Sequence, residues 1–162
     1  MPVSAIVRNA CTVVETFTDA SLSANDKTLT HNAFDRVHSL TAATTPPVTK
    51  VAAFTLALVA GEAEIDLTNL TGSNGGPIDG TGLKVQVLKV NATSTNANPI
   101  TFEAGDSNGY TIGAVGWVSP LLAGQEWLHY GNEGNPDVAA GAKIIKVTGT
   151  GTQSAQVLIV LG

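Results

Sequence analysis

The chain has 162 residues and a net charge of −5, and 43% of it is apolar while only 13% is Asp, Glu, Lys or Arg. Soluble domains average about 25% charged residues, so Thr, Ser, Asn and Gly must cover this surface, as in a subunit packed among copies of itself or against a larger assembly. Eight basic residues (Arg8, Lys27, Arg36, Lys50, Lys84, Lys89, Lys143 and Lys146) never cluster, which excludes the basic stripe that nucleic acid requires.

A lone Cys11 excludes an intramolecular disulfide framework. No run approaches the roughly 18 apolar residues of a membrane helix. The opening Met1-Pro2-Val3-Ser4-Ala5-Ile6-Val7-Arg8 lacks the basic-then-apolar order of a signal peptide. The expectation is one domain, folded in a cytoplasm, with no membrane partner and no cofactor.

Short apolar runs punctuated by Gly, Pro, Asn and Asp predict an all-β, antiparallel β-sandwich. Strands are expected near 3–17, 27–31, 37–43, 50–59, 62–68, 82–90, 99–104, 109–115, 125–130, 137–140, 143–148 and 154–161. Residues 1–25 hold Ile6, Val7, Val13, Val14 and Phe17 among many Ser and Thr. They are read as an arm or edge strand that reaches a neighbour, leaving 26–162 as the sandwich. Phe54-Thr55-Leu56-Ala57-Leu58 alternates large and small side chains, and Ala63, Ile65 and Leu67 alternate with Glu62, Glu64, Asp66 and Thr68. Helix competes over 48–64, but Gly61 and five β-branched residues favour two strands joined as a hairpin near Gly61.

Five glycines and a proline make 70–82 a long loop within one sandwich. Leu88 breaks the alternation of Lys84-Val85-Gln86-Val87, which predicts a bulge before Lys89. A polar loop over 91–98 is expected to join a hairpin. Val157-Leu158-Ile159-Val160-Leu161 is apolar on both faces and reads as a central strand.

Motifs for chemistry are weak. Asp106-Ser107-Asn108-Gly109 opens like a calcium loop, but Trp117 stands at its twelfth place, so a turn is the better reading. Thr148-Gly149-Thr150-Gly151-Thr152 has Ser154 where a dinucleotide fingerprint needs its third glycine, and a strand pattern follows. His31, His38 and His129 lack partners at metal-ligand spacing. Glu62 and Glu64 share one strand face at a separation that could suit glycoside cleavage, but such a face is ordinarily a solvated one. No catalytic, metal or cofactor site is assigned, and the protein is read as no enzyme.

Trp117, Trp127 and Tyr130 fall within 14 residues and suit core closure, a subunit interface or sugar stacking. With Val13, Val14 and Phe17 they are the candidate interface residues.

Three segments, Asp66-Leu67-Thr68-Asn69-Leu70-Thr71-Gly72-Ser73-Asn74-Gly75, Gly82-Leu83-Lys84-Val85-Gln86 and Pro99-Ile100-Thr101-Phe102-Glu103-Ala104-Gly105, carry a further resemblance. With the threonine-rich strands and apolar last strand, the chain over about 25–162 resembles small virion proteins of tailed bacteriophages, of the capsid decoration or cement type. The resemblance implies a jelly-roll-like sandwich, often a homotrimer, that sits outside an icosahedral shell. Its partners would be the major capsid protein or other virion subunits, clamped through an N-terminal arm, and its location the virion. The alternative reading is a carbohydrate-binding module or adhesin using a Trp/Tyr platform.

Overall fold

The computed structural model describes residues 2–17, 27–31, 36–72, 75–113 and 117–162, and among them the secondary structure is fourteen strands with no helix. Two compact units are present, one of Met1–Ala5 with Leu40–Gly162 and the other of Ile6–Ser39.

The second unit contains the hairpin of β2 (Val13–Phe17) and β3 (Lys27–His31), in which Val13 lies opposite His31 and Val14 opposite Thr30. Strands β1 (Ser4–Asn9) and β4 (Arg36–Thr41) form a separate two-stranded sheet. The expected single strand over 3–17 is therefore two strands. The expected boundary at residue 25 lies outside the described residues.

The larger unit is built from β5 (Lys50–Ala57), β6 (Glu62–Asp66), β7 (Leu70–Thr71), β8 (Pro77–Ile78), β9 (Val85–Ala92), β10 (Ile100–Ala104), β11 (Val118–Leu121), β12 (Glu126–Tyr130), β13 (Ile144–Thr148) and β14 (Ser154–Leu161). One antiparallel sheet has the order β12-β9-β14-β5 and the other β11-β10-β13-β6. The pairs nest: β5 with β14, β6 with β13, β9 with β12, and β10 with β11. The chain folds as one long hairpin bent over so that its successive segments alternate between the two sheets.

Period-2 alternation supplies the shared core. Leu88, Val90, Ile159 and Leu161 from one sheet meet Ile65, Ile100, Phe102 and Ile145 from the other, each at most 2% exposed. Complete burial of one such side chain contributes about 1.5–3 kcal/mol. As predicted, β14 is an inner strand, and Gln156 and Leu158 mark its outer face.

Several local expectations are corrected. The turn at Gly61 is present, with φ of 88°, and closes one antiparallel Val59–Glu62 bridge, but the pairing stops there: β5 and β6 pair with β14 and β13 in different sheets. A side chain at Gly61 would also meet the Gly149 carbonyl at 2.9 Å. Likewise 91–98 joins β9 to β10 across the sheets instead of within a hairpin. The turn is pinned by Asn96, whose side chain donates to Ser154 C=O and accepts from Ser154 N–H.

The described part of 109–115 is not a strand, and 137–140 contributes only isolated bridges. Conversely β11 escaped prediction because Pro120 counts against a strand, yet a proline is tolerated on a sheet edge. The bulge lies at Gln86: Val160 is opposite Val87 and Leu161 is opposite Val85, while Leu88 stays in register with Ile159.

Candidate functional site

Three rings, Trp117, Trp127 and His129, stack on one another at β12 of the larger unit. Trp127 and His129 alternate along β12 and so share its inner face, opposite Val90 and Leu88. Trp117 enters from the segment before β11 and stacks on Trp127, with centroids 5.5 Å apart and planes at 16°. Trp127 in turn stacks on His129 at 5.8 Å and 27°. Trp117 is held by its Nε1–H, which donates to the Tyr110 carbonyl at 3.1 Å.

Beneath the stack the polar groups close on each other. Tyr110 is fully buried, and its hydroxyl accepts from Val85 N–H at 3.0 Å and donates to Pro136 C=O at 2.7 Å. Burial pushes its pKa up to about 12, so the phenol stays protonated and structural. Asn135 donates to Val85 C=O at 2.6 Å and accepts from Gly113 N–H at 2.9 Å, and its Nδ2 lies 3.1 Å from His129 Nε2. Burial holds the His129 imidazole below its ordinary pKa of 6.5, with the Asn135 hydrogen bond offsetting part of the effect.

The bulged Gln86 donates through Nε2 to Glu133 Oε1 and to the Gly162 carbonyl, and its Oε1 accepts from Glu133 N–H. Lys84 stands 3.7 Å from Glu133 and 3.9 Å from Asp137. Gly131 is required here, since a Cβ would lie 2.5 Å from Asn135 Nδ2 and 2.7 Å from Val85 C=O. Among the described residues no buried side-chain polar atom lacks a partner. This arrangement fixes loops; its polar groups are committed to one another.

The candidate interface residues are placed as follows. Trp117 and Trp127 come together and pack against the core, both half-buried. Tyr130 joins neither, because it lies on the opposite face of β12 from Trp127, with its hydroxyl 3.3 Å from Asn132 Oδ1. Val13 and Val14 are 47% and 57% exposed on consecutive positions of β2. Consecutive strand residues point to opposite faces, so the hairpin shows an apolar side chain on each. Phe17 ends β2, and its side chain lies outside the described residues.

The other motifs resolve into structure. Asp106 pairs with Lys146 at 2.6 Å, and the Asn108 carbonyl accepts the N–H groups of Lys143 and Ile144. The Thr148–Thr152 segment turns β13 into β14 and bonds Gly149 N–H to Gly61 C=O. Glu62 and Glu64 are exposed on edge strand β6. The side chain of His31 lies outside the described residues, and no group of three His, Cys, Asp or Glu able to hold a metal occurs among those described.

Sequence reasoning missed Asn135 and Gln86. The one available signal was a polar Gln inside Val85-Gln86-Val87. No protein-family model, curated protein or solved structure matches this chain.

Proposed function

We propose that this chain is a non-enzymatic capsid decoration subunit of a tailed bacteriophage, bound to the outside of the shell and bridging neighbouring shell subunits. The observation that carries this reading is the exposure of apolar side chains in the Ile6–Ser39 unit. Ile6 is 61% exposed, Val13 47%, Val14 57% and Val37 61%. Val13 and Val14 lie on the β2–β3 hairpin and Ile6 and Val37 on the β1–β4 pair, and exposed apolar side chains on short two-stranded elements are what an arm offers to a partner surface.

Two features support the same reading. The nested strand order supports a jelly-roll-like reading of the sandwich, an architecture used by viral capsid domains and by lectins. Fold alone assigns no function, so the weight stays on the arm. The low charge is the second support: Thr and Asn can form many neutral hydrogen bonds across an interface without desolvating ions.

The carbohydrate-binding alternative has less support, because its three candidate rings do not form one platform. Trp127 has Trp117 and His129 as stacking partners, and Tyr130 lies on the other face of β12. The test is mixing with shells assembled from the major capsid protein of a tailed phage, followed by sedimentation of the shells. The wild type is expected to travel with shells, and a Val13→Ser/Val14→Ser chain to stay behind with an unchanged circular dichroism spectrum. A wild type that stays off the shells overturns the reading.

A further inference from the structure

Four strands bound the two sheets of the sandwich, β12 and β5 in one and β11 and β6 in the other. Sheet edges invite further strands unless charge, proline or brevity discourages them. Strand β6 presents Glu62, Glu64 and Asp66, β11 contains Pro120, and β12 is five residues long and opens with Glu126. Strand β5 has no such device in its own residues, although Leu70 and Thr71 of β7 lie near Phe54. It is eight residues long, and Val51 to Ala57 holds no charge, proline or glycine.

The hydrogen-bond phase of β5 follows from one contact. Leu58 N–H donates to Gln153 C=O at 2.8 Å, just beyond the Ala57–Ser154 pair. Hydrogen-bonded pairs alternate along an antiparallel ladder, so Leu56, Phe54 and Ala52 turn their backbone groups toward β14. Val51, Ala53, Thr55 and Ala57 turn theirs outward, and among the described residues these groups meet no partner. Phe54 and Leu56 face the core yet remain only half-buried. A gap of about 220 Å³ opens beside Phe54, toward Ile65 and Leu70.

We propose that β5 pairs antiparallel with β5 of a second copy of this chain, about a two-fold axis at Phe54. In that register Ala53 lies opposite Thr55 of the partner subunit, and Val51 opposite Ala57 of the partner subunit. Every outward N–H and C=O of the four residues then finds a partner. A shift of two residues either way leaves Val51 or Ala57 unpaired. A shift of one would set the core face of one copy against the solvent face of the other.

The axis falls on a pair without hydrogen bonds, where Cα atoms approach to about 4.5 Å and side chains meet most closely. Phe54 therefore packs on the partner's Phe54, completing the burial that the open edge leaves unfinished. The charged residue of β5, Lys50, falls outside the paired stretch and donates to Asp79 C=O at 2.5 Å. Identical strands thus approach without like-charge repulsion. The contact is two-fold, in place of the three-fold assembly that the phage resemblance implies, and it rests on the sandwich whether or not the chain binds a shell.

Sedimentation equilibrium of the full chain tests it. The wild type is expected to pass with concentration from 16.5 kDa to twice that mass. Ala53→Lys with Thr55→Lys sets lysine opposite lysine twice across the axis and should weaken association about tenfold. Ala53→Lys with Thr55→Glu sets lysine opposite glutamate and should restore most of that loss. Both positions are exposed, and circular dichroism checks that both variants fold. A wild type that stays at 16.5 kDa at millimolar concentration, a mass of three chains, or two variants that associate alike would overturn the pairing.

Discussion

Leu88 in the sandwich and Val14 in the Ile6–Ser39 unit are both aliphatic strand residues, yet Leu88 is 0% exposed and Val14 57%. The difference is the number of layers. Two four-stranded sheets enclose a core between them, whereas among the described residues the β2–β3 hairpin is a two-stranded sheet. The sandwich encloses its own core, and under the proposed function the exposed apolar side chains of the Ile6–Ser39 unit serve a contact elsewhere. Substitutions in the two units should therefore separate folding from binding.

The largest expected effect is at the sandwich centre. Phe102→Ala should cost about 3–5 kcal/mol in urea unfolding, since a fully buried ring leaves a cavity between the sheets. A cost below about 1 kcal/mol would mean that the two sheets do not unfold around a common core. Next comes Tyr110→Phe, which strips partners from buried Val85 N–H and Pro136 C=O. About 1–3 kcal/mol is expected, and a neutral result would remove the hydroxyl from the account of how Tyr110 is anchored.

Acid should sharpen the contrast, because the titrating groups with lowered pKa and named partners belong to the sandwich. His129 is held below 6.5 by burial, so the unfolded chain binds the extra proton first. Its contribution is fully present above pH 6.5 and declines as the pH falls below that value. Asp66 is also lowered: burial alone would raise it, but hydrogen bonds from Lys143 and Thr68 outweigh burial. That contribution is present above the ordinary carboxylate value of 3.8 and is lost as the pH falls through the depressed one. Melting temperature against pH should show both steps, and His129→Gln should erase the upper one alone. The smallest stability effect belongs to Val13→Ser/Val14→Ser, within about 0.5 kcal/mol of wild type by urea unfolding.

The alternation of Phe54 with Leu56 and of Ile65 with Leu67 made the inward faces of β5 and β6 legible, because burial on one face is written locally. Their joint was not legible. Gly61 serves a hairpin or a corner equally well, and the choice is made by β14 and β13, far along the chain. Tyr110 and Ile112 alternate like strand residues, yet they plug the core from a loop. What looked like a bulge at Leu88 is Gln86 bonded to Glu133, a contact that a local pattern does not encode.

At the candidate site, proximity in sequence correctly joined Trp117 to Trp127, and strand parity separated Tyr130 from both. Val13 and Val14 looked like poor core elements from the surrounding Ser and Thr, and their exposure agrees.

The central claim is that the hairpin of β2 and β3 is a partner-binding element, and hydrogen exchange with and without shells tests it most directly. Amides of 13–17 and 27–31 are expected to slow when shells are added, while those of β9 and β14 keep their protection unchanged. Hairpin amides that exchange equally fast in both states would contradict the account.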